Sequence, residues 1–278
     1  MTILLFTLAL FIGALAAGLL GSLTGLGGGV VLIPLLTLVF KVDIHYAIGT
    51  SLVSVIATSS GAAAAYVREG ITNIRLGMFL ELATTFGAIF GAWLSSWLST
   101  SFIAVLFGLI LILSAAISFF KLADPVSTGE GSPLSRWLKL NSSYPTPEGR
   151  KPYIVKNVIG GFFMMNIAGV ISGLLGIGSG ALKVIAMDNV MRIPFKVSTT
   201  TSNFMIGVTA AASVGVYLSR GYIDPGLSMP VMLGVLLGAF LGSRILTTAK
   251  TSSLKILFAL VILVLAIEMM YNGLTHKI

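Results

Sequence analysis

Two glycine clusters, Gly-Leu-Gly-Gly-Gly at Gly25 to Gly29 and Gly-Ile-Gly-Ser-Gly at Gly176 to Gly180, are where this main chain could meet a ligand. Three or more glycines in five residues break a helix. Each cluster is followed by a short apolar piece, Val30 to Phe40 and Ala181 to Met191. The first turn of such a piece has N–H groups without intrahelical acceptors and the positive end of the helix dipole. It therefore attracts anions, and glycine lets an anion approach the main chain. Candidate anion ligands are Gly25, Gly27, Gly28, Gly29, Gly176, Gly178, Ser179 and Gly180. The pattern is neither a dinucleotide fingerprint nor a P-loop, because no strand precedes it and no Gly-Lys-Ser/Thr follows.

A second recurring feature is a hydroxyl pair, Thr50-Ser51 and again Thr201-Ser202, the latter followed by Asn203. Hydroxyl and amide donors suit an oxyanion that is bound and then released; the alternative is that they bond back to carbonyls of their own helix. Ionisable residues inside apolar runs are candidates for function. Lys183 lies three residues past the second cluster, where the first half has Leu32, and could give the site one positive charge or else pair with Asp188. Glu81 is a candidate for carrying a coupling proton. Enzyme chemistry finds little support: there is no cysteine, His45 and His276 have no metal-ligand spacing, and no carboxylate pair recurs. Neither a metal nor a cofactor is expected.

The elements that must position these residues are membrane helices. Of 278 residues 56% are hydrophobic and 9% charged, with a mean hydropathy of +1.02; so few charges cannot cover a soluble fold of this size. The net charge of +8 lies mostly between apolar runs, which argues against nucleic acid and for a lipid bilayer. Eight runs are long enough to cross: about 3–23, 45–67, 76–98, 101–120, 153–174, 196–218, 227–248 and 253–273. The pieces after the glycine clusters are too short, and read as re-entrant or broken half-helices. Shifting the sequence by 151 residues aligns Ala17–Ala115 with Ala168–Ala266, superposing the glycine clusters, the hydroxyl pairs, and Tyr66 and Gly70 on Tyr217 and Gly221.

The expected fold is therefore an all-α polytopic membrane protein of eight transmembrane helices in two parallel four-helix repeats. The first repeat is 1–121, an aqueous linker 122–152 and the second repeat 153–278. Even span counts place both halves in the same orientation. The first run lacks a basic leader and has a counterpart in mid-chain, so it is expected to be retained. A modest excess of basic residues places the termini and the linker together in the cytoplasm.

The apolar AGLLGSLTGLGGGVVLIPLL from Ala17 to Leu36, followed by AIGTSL from Ala47 to Leu52, resembles the TauE/SafE family of membrane permeases. The resemblance runs from about Leu10 to Met270 and implies transport of sulfite, a sulfonate or a related organosulfur anion across the cell membrane. Alternating access between the repeats is the expected mechanism, with a proton or sodium ion as coupling ion; an anion channel and a non-transporting scaffold are the alternatives. The second half departs from the first at Ser179 for Gly28 and Lys183 for Leu32, so the site is not expected to be strictly two-fold.

Overall fold

The computed structural model describes residues 3–24, 28–68, 70–119, 132–146, 149–246 and 251–276. Gly25 and Gly27 lie outside the described residues. Helix α1 (Ile3–Thr24) is followed by α2 (Gly29–Pro34), which continues as a π-helical turn over Leu35–Val39. Then come α3 (Ile44–Arg68), α4 (Ile74–Ser95), α5 (Thr100–Phe119), the short α6 (Pro133–Trp137) and strands β1 (Ser142–Thr146) and β2 (Gly149–Tyr153). A second series follows in the same order: α7 (Val158–Leu175), α8 (Gly180–Ile185) with a π-helical turn over Ala186–Val190, α9 (Phe195–Ser219), α10 (Pro225–Leu246) and α11 (Thr251–Leu274). Among the described residues, five helices are long and apolar enough to cross a membrane.

The two series match in local conformation as well as in order. Lys41 and Arg192, which end the π-helical arms, both turn left-handed, with φ of 56° and 58°. Gly70 and Gly221, after α3 and α9, do the same at 66° and 75°. Both pairs are separated by the 151 residues of the sequence repeat.

The direction of travel corrects the expected parallel arrangement. The arm formed by α2 and its π turn folds back antiparallel on α1: Leu35 and Phe40 cover Gly13, and the Phe6 and Phe40 rings lie 5.9 Å apart. The chain thus returns to the end where α1 began. In the second series Met191 covers Gly161, and its carbonyl accepts from Lys156 N–H at 3.0 Å. Each long first helix and its short arm therefore form a hairpin that makes no net crossing. Only three helices per series run through, and an odd number inverts the second series relative to the first. Corresponding helices are antiparallel: Gly49 of α3 meets Tyr222 just past α9, while Ser59 of α3 lies against Gly207 of α9. Likewise Ser101, at the start of α5, bonds His276 beyond the end of α11 at 3.1 Å.

The halves are also interleaved. Helix α1 packs on α10 and α7 on α4, each a pairing between halves, through faces where glycine replaces side chains. A Cβ at Gly87 or Gly91 would collide with main chain at Asn166 or Val170, and one at Gly169 or Gly173 with Thr84 or Ala88. Gly18 meets Val235 in the same way, and Gly238 meets Leu15. Small residues allow such backbone approach between apolar helices. Two helix groups can be traced, α1, α2, α3 and α10 in one and α4, α7, α8 and α9 in the other, joined closely along α3 and α9, while α5 pairs with α11.

Within the stretch read as an aqueous linker, the described residues 132–146 and 149–152 are folded. Ser132 caps α6, and β1 pairs antiparallel with β2, Ser142 opposite Tyr153. Leu140, Tyr144 and Tyr153 are buried with Ile71, Leu76 and Leu80. Asn73 Nδ2 donates to the Leu140 carbonyl and to Tyr153 Oη, both at 2.8 Å, while its Oδ1 caps α4 by accepting from Leu76 N–H at 3.0 Å. Tyr153 therefore belongs to the strand, and α7 starts at Val158 rather than at the expected 153. This hairpin sits at the end of the bundle opposite both described termini. The expectation that linker and termini share one side is corrected by the same odd number of through-running helices.

Substituting Gly173→Ala should force α7 off Ala88 and destabilise the detergent-solubilised protein by about 1–3 kcal/mol. Gly215→Ala, on α9 where an added Cβ meets nothing within 4 Å, should leave stability equal or higher by about 0.5–1 kcal/mol. Thermal unfolding of the two variants side by side checks the pairing.

Candidate functional site

Gly29 of the first cluster meets the second cluster because the hairpins enter from opposite ends and stop part-way. Ser51 and Ser202 each lie about 10 Å along α3 and α9 from opposite ends of the bundle. Beside Ser51 is the start of α2: a Cβ built on Gly29 would stand 2.5 Å from Ser51 Oγ and 3.1 Å from the Gly176 carbonyl oxygen. Beside Ser202 is the start of α8, where Gly178 and Gly180 lie against Ile206. Thus Gly29, Ser51, Gly176, Gly178, Ser179, Gly180 and Ser202 gather in mid-bundle, with two helix starts facing the middle.

Left-handed residues reverse the second hairpin: Gly176, Gly178 and Ser179 have φ of 68°, 71° and 47°. Glycine adopts this conformation without steric cost, whereas Ser179 does so against its preference. Ser179 is 3% exposed, and its Oγ has no hydrogen-bond partner among the described residues. A buried hydroxyl left without a partner costs about 1–3 kcal/mol. Ser179 shares this state with Ser172 Oγ at the end of α7, fully buried and likewise without a partner among the described residues.

The hydroxyls expected to bind an anion mostly brace the broken chain. Ser51 Oγ donates to the Gly176 carbonyl at 2.9 Å and Ser202 Oγ to the Gly180 carbonyl at 3.1 Å. Thr50 Oγ1 lies 3.3 Å from Ser228 Oγ and ties α3 to α10. Thr201 Oγ1 accepts from Asn73 N–H at 3.1 Å and ties α9 to the start of α4. Asn203 is half-buried on α9. Gly28 turns its open face to Val235 and Gly18, so it packs against α10 and α1.

Lys183 and Glu81 form a separate arrangement. Lys183 is completely buried, and its Nζ donates to Thr209 Oγ1 at 2.5 Å. Thr209 in turn donates to Glu81 Oε1 at 2.7 Å, an atom that also accepts from Thr85 Oγ1 at 3.3 Å. The link joins α8, α9 and α4 of one helix group. Asp188, the partner first considered for Lys183, is not in this link. Sequence reasoning missed Thr209, Ser228 and Asn73. The repeat carried a signal for two of them, since Thr209 falls on Thr58 and Asn73 on Asp224, which caps α10 through Gly226 N–H at 2.6 Å.

The family model for the sulfite exporter TauE/SafE matches residues 10–269. Among curated proteins, the chain is 26% identical over 267 residues to "Probable membrane transporter protein YunE" of Bacillus subtilis, covering 93% of this chain and 95% of that one. It is 27% identical to "Probable membrane transporter protein YdhB" of the same organism, over 82% of this chain and 85% of that one. "Probable membrane transporter protein MJ0441" of Methanocaldococcus jannaschii is 23% identical over 96% of each chain. No solved structure matches.

Ser51→Ala should leave the buried Gly176 carbonyl without its donor and lower stability by about 1–3 kcal/mol. Thr199→Ala removes a hydroxyl that bonds only its own helix, at Phe195, and should stay within about 0.5 kcal/mol of the parent. Chemical or thermal unfolding in detergent separates the two.

Proposed function

Because the chain belongs to the TauE/SafE family of membrane transporters, we propose that it is a secondary transporter of a small anion, with sulfite, a sulfonate or a related organosulfur anion as substrate class. The observation that carries this reading is the pair of half-helix starts, at Gly29 and Gly180, facing mid-bundle from opposite ends beside the unbonded Ser179 hydroxyl. First-turn N–H groups there have no intrahelical acceptor, and the helix dipoles favour negative charge. An anion would be held by main-chain donors from both hairpins, with Ser51 and Ser202 holding those hairpins in place. Broken helices at mid-depth are the usual place for a transporter site.

In the membrane, six helices (α3, α4, α5, α9, α10 and α11) cross, and the two hairpins are re-entrant from opposite faces. Alternating access then works by rocking of the two interleaved units along the α3–α9 seam. Rocking of the sequence halves, the original expectation, would tear apart the glycine-packed α1–α10 and α4–α7 pairs.

Orientation in the cell membrane follows from charge. Of the fourteen Lys and Arg among the described residues, Lys41 and Arg220 lie at the end that carries the described termini, Lys183 is buried, and the other eleven fall at the end that carries the β-hairpin. Basic residues stay on the cytoplasmic side, so the hairpin is cytoplasmic and both termini are outside. The inverted arrangement turns a weak charge bias into a strong one.

In proteoliposomes, a panel of sulfur oxyanions, sulfonates, carboxylates and phosphate should show saturable uptake of at least one sulfur anion. A current linear in voltage at high turnover would make the protein a channel, and no flux of any anion would leave it a scaffold. Since the chain has no cysteine, single substitutions report topology cleanly. In intact cells Thr275→Cys should react with an impermeant maleimide and Ser142→Cys should not; the reverse pattern would invert the orientation.

A further inference from the structure

We propose that Glu81, Thr209 and Lys183 form a charge-balancing unit through which the protein takes up one proton with each anion. The inference rests on the anion-transport reading above and identifies its coupling ion. With no anion bound, the Glu81 carboxylate and the Lys183 ammonium cancel through the shared Thr209 hydroxyl. Lys183 stands one turn into α8, its backbone N–H bonded to the Ser179 carbonyl at 3.1 Å, so the helical turn that begins at the glycine site is the one that carries the ammonium to Thr209. An anion entering there would leave the buried region with one uncompensated negative charge, which is strongly unfavourable away from water. A proton on Glu81 restores neutrality: carboxylate plus proton gives carboxylic acid, and the ammonium is left to the anion.

Three features of Glu81 suit it to this role. Its Oε1 is held by Thr209 and Thr85, while its Oε2 is buried without a partner, leaving that oxygen as the one to be protonated. An open groove of about 430 Å³ between α4 and α9 adjoins it on the exposed face, lined besides Glu81 and Thr85 by Met78, Leu82, Phe86, Phe204 and Val208, apolar side chains that offer an ionised carboxylate no hydrogen bond. From α4 itself the facing polar groups are Thr84 and Thr85, from α9 Thr209, and from α8 Lys183, whose charge acts on Glu81 as that of Glu81 acts on Lys183.

The probe is methanesulfonate, a strong-acid anion that does not itself titrate, so any proton taken up on binding belongs to the protein. Calorimetry in detergent, repeated in buffers of different ionisation enthalpy, should show about one proton absorbed per anion above the pH at which Glu81 protonates, with affinity weakening as pH rises. Glu81→Gln keeps the shape and the positive Lys183. It should bind the anion with no proton uptake and no pH dependence. Lys183→Met should lose about tenfold or more in affinity at every pH. The double variant Glu81→Gln/Lys183→Met, neutral and close in shape, controls for folding and should bind weakly without pH dependence. In liposomes, with whichever panel anion moves, an inward proton gradient should drive accumulation by the parent but not by Glu81→Gln, in which anion counterflow persists. Proton uptake or gradient-driven accumulation by Glu81→Gln equal to the parent's, or anion binding by the parent without a proton, overturns this inference alone. Absence of both binding and flux in the parent overturns the transport reading and this one with it.

Discussion

A main chain broken in the middle of a low-dielectric layer must find partners for the polar groups the break exposes, and the rest of this architecture answers to that requirement. At the end of α7, Gly176 N–H caps the Ser172 carbonyl at 2.8 Å, and Tyr217 Oη reaches the Gly173 carbonyl at 3.1 Å. Ser51 takes the Gly176 carbonyl and Ser202 that of Gly180. These donors sit on α3 and α9, so those two helices must lie alongside the breaks, at the centre of the bundle. Carbonyls at the breaks are thereby satisfied by side chains, which leaves the first-turn N–H groups as the donors that the proposed anion would use.

The position of α3 and α9 explains the interleaving. Each hairpin must reach the centre from its own end, and its long arm finds a smooth glycine surface only on a helix of the other half: α10 for α1 and α4 for α7. The charges are distributed less evenly than the glycines. Lys183, Thr209 and Glu81 all belong to one unit, and their counterparts by the repeat are Leu32, Thr58 and Met232. Under the proposed rocking, a charge pair contained in one helix group would not be pulled apart and could stay neutral. Had the ammonium and the carboxylate lain on different units, every conformational change would have separated buried charges.

Much of this was legible in the chain. Hydrophobic runs and their lengths gave the long helices to within a few residues, apart from α7, because burial in apolar surroundings writes itself directly into composition. The 151-residue shift found corresponding elements because close backbone approach admits only glycine, and those glycines recur. Relative direction was not legible from length. A span of 22 residues looks the same whether its chain continues across or turns back along it, and what decides is the contact of Phe40 with Phe6 and of Met191 with Gly161, which no local pattern encodes. The hydroxyl pairs were found, but their partners were not. A serine that donates to a carbonyl 125 residues away is indistinguishable in sequence from one that donates within its helix. The hairpin over β1 and β2 was hidden by its prolines and charges, which read as a linker, although Pro145 and Pro152 lie in a two-stranded ribbon where edges are free.

Inversion has an energetic consequence that bears on direction of transport. If the two units were identical, exchanging them would convert the conformation open to one side into the one open to the other, and the two states would have equal free energy. Every departure from the repeat is therefore a term that can separate those states. Two departures are large here. The β-hairpin and α6 cover only the end that carries most of the basic charge, where Leu140, Tyr144 and Tyr153 are anchored on α4 through Asn73. Opening that end must either carry the hairpin along with α4 or break those bonds; the opposite end has no such cover among the described residues. The second departure, the charged link of Glu81 and Lys183, lies in the same helix group as α4, which it joins to α8 and α9. Under the proposed mechanism, cover and charge act on the same helix group, and its motion, rather than that of the apolar partner group, is the one whose free energy a bound anion and its proton would change.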